Sequence, residues 1–169
     1  MTAATEHGGR SETVASAVKF VLRSTRTRPQ TEAELRAKLR AREHPDDVID
    51  AAVARATELG AIDDVAFARA WVNDRALGRG YSALRVREEL RRRAVPEPVI
   101  DTALQVLEAR DDLAVATELA RARAQRMPAT LAPEVVARRV VAFLGRRGYP
   151  EGLARRVALQ VSGLDHEWD

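Results

Sequence analysis

The chain has 169 residues, of which 46% are hydrophobic, and it contains no cysteine. This composition excludes disorder throughout, and the absence of thiols excludes disulfides, cysteine-ligated zinc and a thiol nucleophile. Twenty-eight basic residues stand against twenty-five acidic ones, so the formal net charge is only +3. Net charge alone therefore does not indicate a nucleic-acid partner, and the distribution of the arginines has to decide that question.

The apolar residues favour an all-α protein. Only three Phe, two Trp and two Tyr are present, so the core consists mainly of Ala, Leu and Val, which suits closely packed helices better than sheets. Residues 1–11 are small and polar, and we expect a disordered tail there. No apolar run approaches the length of a membrane span and no hydrophobic segment opens the chain, so we expect a cytoplasmic protein.

The first predicted unit of three helices covers residues 12–60. Its first helix follows from an apolar set at helical spacing: Val14, Ala17, Val18, Val21 and Leu22. Thr31 and Glu34 form a capping box that begins the second helix. Pro45 separates the second helix from the third, and Gly60 ends the third.

The stretch from Ala61 to Arg79 predicts a helix with one continuous buried stripe. That stripe consists of Phe67, Ala68, Trp71, Val72 and Arg75. Asp63 can accept hydrogen bonds from the free N–H groups of the first turn, and Asp64 adds negative charge there. Gly78 and Gly80 are expected to supply a left-handed exit.

The three-helix pattern recurs along the chain. A shift of 51 residues aligns Thr31 with Ser82 and Pro45 with Pro96, and a further shift of 54 aligns Pro96 with Pro150. We therefore predict tandem three-helix repeats over residues 12–60, 61–110 and 111–162, followed by a polar tail over 163–169. Such repeats stack into an elongated, curved array that presents a long binding surface.

The acidic pairs and the histidines do not indicate catalysis. The two residues of each pair, Asp63-Asp64 and Asp111-Asp112, project about 100° apart on a helix, so helix capping is the better interpretation. A helical hydrolase or nuclease is a further hypothesis, and these pairs are the only residues that favour it. His7, His44 and His166 have no second ligand at metal-binding spacing. We expect no enzyme, no metal and no cofactor.

Several arginines lack an acidic residue one helical turn away and are candidates for an acidic partner. Arg87 has only Arg91 as a charged neighbour at that spacing, and the first repeat keeps the same pair at Arg36 and Arg40. Arginine can form paired hydrogen bonds with either phosphate or carboxylate. The full set of candidates is Arg36, Arg40, Arg87, Arg91, Arg123, Arg126, Arg139, Arg146 and Arg147. Phe67 and Trp71 could instead stack on bases, although their position on the inner stripe favours core anchors.

The most specific segment reads Glu58-Leu-Gly-Ala-Ile-Asp-Asp-Val-Ala-Phe-Ala-Arg-Ala-Trp-Val-Asn-Asp-Arg75, and it is followed by Gly80, Glu89-Leu90, Pro96 and Val99-Ile100. With these residues the chain resembles the RecX family, bacterial regulators of the RecA recombinase, over about residues 13–161. The segment Phe143-Leu-Gly-Arg-Arg-Gly-Tyr-Pro150 also looks like the closing repeat of that family. Two turns depart from the family pattern, since Arg93-Ala94 replaces a common Lys-Gly and His44 replaces an aromatic-type residue.

The resemblance implies a curved, modular helical protein, a non-enzymatic inhibitor that lies in the groove of the RecA filament on single-stranded DNA. We expect it to be a monomer. There it would hinder ATP hydrolysis, strand exchange and coprotease activity, and so act in DNA repair, homologous recombination and the SOS response. The motif formed by Asp63, Asp64, Phe67, Trp71 and Arg75 would be structural. The residues alone leave an alternative open, a helical module that binds nucleic acid directly.

Overall fold

A computed structural model describes the backbone of residues 3–164 and the side chains of residues 13–164. Within that range the secondary structure is helical, with nine α-helices and no strand, so the predicted all-α class is confirmed. Met1, the side chain of His7, and His166 and Trp168 of the predicted polar tail lie outside the described residues. The helices are α1 (Ala3–Thr27), α2 (Glu32–Arg40), α3 (Asp46–Glu58), α4 (Asp64–Val72), α5 (Ala83–Arg92), α6 (Glu97–Leu104), α7 (Asp112–Ala124), α8 (Pro133–Gly145) and α9 (Glu151–Ser162).

Helix α1 begins earlier than the sequence predicted. It starts at Ala3, so residues 3–11 are helical rather than the disordered tail that we expected. No proline interrupts this stretch, and each residue added to an existing helix contributes a further backbone hydrogen bond without a new nucleation cost. That gain outweighs the poor helix propensity of Gly8 and Gly9.

The helices group into two compact units. Unit 1 consists of the described residues up to Ala70 together with Leu90–Ala103, and unit 2 consists of Trp71–Glu89 together with the described residues from Leu104 onward. The middle set of helices, α4 to α6, therefore contributes to both units. The repeat boundaries at residues 60 and 110 stay a prediction.

The core of unit 1 is formed where α1, α2 and α3 meet. Leu35 and Leu39 of α2 are fully buried, as the helical spacing predicted. They pack in one cluster with Val21 of α1 and with Ile49 and Ala52 of α3. Burial of each Leu or Ile side chain stabilises the fold by about 1.5–3 kcal/mol.

The core of unit 2 is formed by α7, α8 and α9. Its buried residues include Ala116 and Ala120 of α7, Val140 and Leu144 of α8, and Val157 of α9. The two alanines occupy one face of α7, because they lie four residues apart. Their small side chains let the backbone of α7 approach its neighbours closely.

The N-cap hydroxyl of α2 joins that helix to a turn far along the chain. Thr31 is fully buried, and its hydroxyl accepts the N–H of Glu34 at 3.2 Å while donating to the carbonyl of Arg93 at 2.9 Å. Glu34 in turn accepts the N–H of Thr31, which confirms the capping box. We call Thr31, Glu34 and Arg93 the first joint.

The N-cap hydroxyl of α5 repeats this arrangement in unit 2. Ser82 is 3% exposed. Its hydroxyl accepts the N–H of Arg85 at 3.2 Å and donates to the carbonyl of Gly148 at 2.7 Å. The N–H of Ser82 also donates to the carbonyl of Arg147 at 2.9 Å. We call Ser82, Arg85, Arg147 and Gly148 the second joint.

Helix α4 ends differently from the expectation. It continues as a π-helical turn over Asn73–Gly78, and the N–H of Tyr81 closes the end on the carbonyl of Arg75 at 2.9 Å. Gly80 has a φ of +66°, but Gly78 lies within the π-helical turn and has no positive φ. The left-handed exit predicted for both glycines is therefore made by Gly80 alone, because the wider turn displaces the exit toward the C-terminus.

Gly148 sits in a left-handed conformation inside the second joint. Its φ is +83°, and a Cβ atom there would lie 2.5 Å from the Cβ of Arg85 and 2.6 Å from the hydroxyl of Ser82. Both the backbone conformation and the space thus require glycine. Gly163 has a similar φ of +78°, but a Cβ atom there would meet no other atom within 4 Å.

Replacement of Thr31 by Ala should lower the free energy of unfolding by about 1–3 kcal/mol, because the half-buried carbonyl of Arg93 and the N–H of Glu34 both lose their partner. Thr31→Ser keeps the hydroxyl and is the control. Urea denaturation followed by circular dichroism measures both changes. Equal stability of the Ala and Ser variants would show that the hydroxyl contributes nothing.

Replacement of Gly148 by Ala should lower the free energy of unfolding by about 2 kcal/mol or more, because backbone strain and steric overlap add together. Gly163→Ala has the strain without the overlap and should cost about 1 kcal/mol. Thermal denaturation of the two variants compares these effects. A loss for Gly148→Ala no larger than that for Gly163→Ala would contradict the close packing of this turn.

Candidate partner-binding surfaces

The acidic pair at the start of α4 binds the N-termini of two helices. Asp63 accepts the N–H of Ala66 at 2.8 Å, which confirms it as the cap of α4. Asp64 accepts the N–H of Glu32, the first residue of α2, at 2.9 Å. Burial raises the pKa of Asp64, and the hydrogen bond from Glu32 opposes that shift. Asp64 therefore links α4 to α2, a role beyond the added charge that its position predicted.

The raised pKa of Asp64 means that folding favours its protonated form. Its contribution to stability is thus present below its ordinary pKa of 3.8 and is lost as the pH rises through the raised folded-state pKa. Asp64→Asn keeps an oxygen acceptor for Glu32 without the buried charge. As the pH rises from the ordinary pKa of Asp64 through its raised folded-state pKa, the free energy of unfolding of the Asn variant should therefore increase relative to that of the wild type.

Urea denaturation of the wild type and of Asp64→Asn at several pH values measures that difference. Asp64→Ala is the control, and it should be less stable by about 1 kcal/mol because it loses the acceptor. A difference between wild type and Asn variant that does not change with pH would contradict the effect of burial on Asp64.

Trp71 and Arg75 are held by Glu89. The indole N–H of Trp71 donates to the Glu89 carboxylate at 3.0 Å, and the Nε of Arg75 lies 3.4 Å from that carboxylate. The guanidinium of Arg75 stacks on Trp71, 4.6 Å from the ring centroid. Arg75 Nε is buried and makes no hydrogen bond to any residue that the structure describes. These contacts give the predicted motif a structural role, and Glu89 is a member that sequence reasoning did not include.

The base-stacking alternative receives no support from Phe67. This residue is only 7% exposed, and the guanidinium of Arg93 lies over its ring at 5.5 Å. The ring face is therefore already occupied, as expected of a core anchor.

Arg110 and Tyr149 close the end of the π-helical turn. The guanidinium of Arg110 donates to the carbonyls of Ala76 and Tyr81 at 3.1 and 3.0 Å, and it pairs with Asp112 at 2.7 Å. The buried hydroxyl of Tyr149 donates to the carbonyl of Gly80 at 2.9 Å. Burial raises the pKa of Tyr149. Sequence reasoning missed both residues, because their partners lie 29 to 69 positions away.

Both arginines of the pair on α2 have acidic neighbours. Arg36 contacts Glu32 and Asp50, each at 2.6 Å, and these hydrogen bonds raise its pKa. Arg40 pairs with Asp46 at 3.2 Å. The expectation that this pair lacks internal partners is wrong, because Glu32 lies one turn earlier on α2 and acids of α3 reach back across the connection.

On α5 the same correction applies to Arg91. Arg91 pairs with Glu97 at 2.8 Å, and Arg87 also has an internal partner. Glu97 begins α6 and lies six residues beyond Arg91 in the sequence, outside the spacing of neighbours on one helix. Whether any of these four arginines binds an external partner stays a prediction.

The remaining candidates lie on or beside α7 and α8. Arg123, Arg126, Arg139 and Arg146 are exposed. Arg123 lies over the ring of Phe143 at 5.8 Å. Within the described part of the chain, none of these four side chains forms an ion pair with a carboxylate. Whether they bind an external partner stays a prediction.

Arg147 is half-buried. Its Nε donates to the carbonyl of Arg79 at 3.4 Å, and its guanidinium lies 3.9 Å from the ring centroid of Phe143 and 5.8 Å from that of Tyr81. Burial lowers the pKa of Arg147, and the neighbouring charges of Arg146 and Arg123 act in the same direction. No carboxylate among residues 13–164 pairs with it.

A groove of about 760 Å³ opens beside Arg147 in unit 2. Apolar walls come from Leu77, which is 54% exposed, and from Val115 and Leu119. Arg79 and Arg147 also line it, together with Glu118. This volume is within the range of pockets that take small molecules or a few side chains.

The described side chains offer no metal site. Among them, no three His, Asp or Glu residues converge in a group that could hold a metal ion. None of the helices over the described range combines the length and apolar character needed to cross a membrane.

Comparison with known proteins decides the family. Residues 63–104 match the family model described as the second three-helix domain of RecX, and residues 26–55 match that of the first. The regulatory protein RecX of Thermobifida fusca is 39% identical over 156 residues, which cover 89% of this chain and 83% of that protein. The chain belongs to the RecX family. Membership implies a role in the regulation of RecA, as the resemblance indicated.

Other RecX proteins show a similar relationship. That of Streptomyces coelicolor is 37% identical over 142 residues, covering 82% of this chain and 75% of the relative. That of Mycolicibacterium smegmatis is 41% identical over 138 residues, covering 79% and 72%. The match thus extends over most of both chains.

Solved RecX structures share the fold. The crystal structure of RecX from Lactobacillus salivarius aligns with a TM-score of 0.69 at 14% identity, covering 89% of this chain and 97% of that one. A second crystal structure of regulatory protein RecX gives a TM-score of 0.66 at 20% identity, covering 88% and 73%. At these identities the likeness concerns the helical fold alone.

Proposed function

We propose that the protein inhibits RecA by binding in the groove of the RecA filament on single-stranded DNA. Bound there, it suppresses ATP hydrolysis, strand exchange and coprotease activity. Membership of the RecX family carries the regulatory part of this proposal. The proposal places the protein in the cytoplasm as a monomer.

The finer part of the proposal is supported by the arginines of α7 and α8. A RecA filament on DNA offers acidic side chains and phosphates, and arginine binds both. Arg126, Arg139 and Arg146 are exposed and form no ion pair within the described residues. They can therefore bind an external anion without first giving up an internal one. Arg36, Arg40, Arg87 and Arg91 would have to exchange an existing partner.

The absence of catalysis in this proposal is supported by the roles of the acidic pairs. Asp63 caps α4 and Asp64 binds the N-terminus of α2. At the start of α7, Asp111 caps the helix by accepting the N–H of Ala114 at 3.0 Å, and Asp112 pairs with Arg110. Each carboxylate thus has a structural function, and neither pair is arranged as an acid and a base around one substrate.

ATP hydrolysis by RecA on single-stranded DNA, titrated with the protein, tests the proposal. The wild type should inhibit hydrolysis. A triple variant with Arg126, Arg139 and Arg146 changed to Ala should need about tenfold more protein for half-maximal inhibition, because three charge-assisted contacts are lost.

The control for this titration is a triple variant with the same loss of charge. Arg55, Arg121 and Arg155 are also exposed, but each pairs with a Glu on its own helix. Their replacement by Ala should leave inhibition close to that of the wild type, since exposed pairs contribute little. No inhibition by excess wild type would refute the proposal. Equal weakening by both triple variants would show that net charge alone acts.

A second candidate function, direct binding of DNA, is favoured by the same exposed arginines. Arginines that bind phosphates release counterions, so affinity should fall steeply with salt. Fluorescence anisotropy of a labelled single-stranded oligonucleotide, measured without RecA over a range of salt concentrations, separates the two functions. Tight, salt-dependent binding together with unaffected RecA ATPase would favour this second function.

A further inference from the structure

The two joints differ in charge at one position that the repeat relates. Glu34 is the third residue of α2 and pairs with Arg93 at 2.8 Å. The shift of 51 residues places Arg85 at the equivalent position of α5, and the shift of 54 relates Arg93 to Arg147. In both joints the N-cap hydroxyl donates to a carbonyl of the distant turn. The acceptor is Arg93 in the first joint and, in the second, Gly148, one position beyond the equivalent Arg147. The second joint thus keeps the arginine but has lost the carboxylate that neutralises it.

Arg85, which replaces that carboxylate, is itself neutralised, because it pairs with Glu89 at 3.1 Å. Arg147 pairs with no carboxylate among the described residues. Its described contacts are a backbone carbonyl and two aromatic rings. Arg123 approaches the ring of Phe143 as well, so two guanidinium groups share one aromatic side chain. This leaves a local excess of positive charge, partly removed from water.

The excess charge borders the groove described above. Leu77, Val115 and Leu119 give the groove an apolar side, and Arg147 gives it a cationic end. Of the other charged lining residues, Arg110 is neutralised by Asp112, Arg79 pairs with Asp74, and Glu118 pairs with Arg121. Arg147 is therefore the lining cation that lacks a carboxylate among the described residues.

We propose that this groove binds an acidic segment of a protein partner. A carboxylate of that segment pairs with Arg147 and Arg123, as Glu34 pairs with Arg93 in the first joint. A neighbouring apolar side chain of the segment packs on Leu77 and Leu119. The lining of the groove favours a protein segment over nucleic acid. The walls are apolar, whereas a phosphate backbone is held by a row of polar and cationic groups.

This inference goes beyond the proposed function, and it rests on that function only if RecA is the partner. The repeat itself supplies a test. Arg85→Glu restores the carboxylate of the first joint, so it should pair with Arg147 inside the protein and exclude an external carboxylate. Arg85→Gln removes the same arginine without supplying a carboxylate and is the matched control. The two variants separate loss of binding from loss of folding.

The probe is a short acetylated peptide of alternating Glu and Leu, titrated into the isotopically labelled full-length protein and followed by NMR. A peptide of alternating Gln and Leu is the uncharged counterpart. The Glu peptide should shift the backbone amides of residues 77–81 and 147 in a saturable manner, and the Gln peptide should not. Arg85→Glu should weaken this binding about tenfold, while Arg85→Gln retains it.

The thermal midpoint of Arg85→Glu should be at least equal to that of Arg85→Gln, since the new pair is internal. No saturable shifts with the Glu peptide would overturn the proposal. Equal affinities of the two variants would overturn it too, as would a single-stranded oligonucleotide that binds the same amides more tightly than the peptide. No RecA is present in this experiment, so its failure is distinct from failure to inhibit RecA.

Discussion

The fold depends on two buried hydroxyl groups that each satisfy a helix N-terminus and a distant carbonyl at the same time. Thr31 reaches a carbonyl 62 residues away, and Ser82 reaches one 66 residues away. A buried carbonyl without a partner costs about 1–3 kcal/mol, so each hydroxyl holds its turn in one position. The aromatic and arginine contacts around Phe67, Trp71 and Phe143 are built beside these joints and rely on that fixed backbone.

The two joints differ in how the charge of their arginine is held. In the first joint Arg93 is neutralised internally by Glu34, so its charge stabilises the fold. In the second joint Arg147 is held by rings and a backbone carbonyl, which position the guanidinium without neutralising it. Repeated units can thus share one architecture while a change at one position decides whether the arginine of the joint has a carboxylate partner.

The acidic residues show why a pair of carboxylates is weak support for catalysis in a helical protein. Asp63 and Asp64 lie next to each other, yet each binds a different helix N-terminus. Both are placed where backbone N–H groups have no partner within their own helix. The regulatory role implied by family membership agrees with this structural use of the acids.

The sequence by itself determined the helical class, the capping box at Thr31, the cap at Asp63, the repeat and the family, because these depend on spacing within one turn or on a periodic pattern. Only the tertiary structure decided which arginines are neutralised by an acid outside their own helix. Arg36 meets Asp50 and Arg91 meets Glu97 across a turn, and Arg93 meets Glu34 from 59 residues away. Helical periodicity relates residues three or four positions apart, so it carries no information about an acid that a neighbouring helix brings into contact.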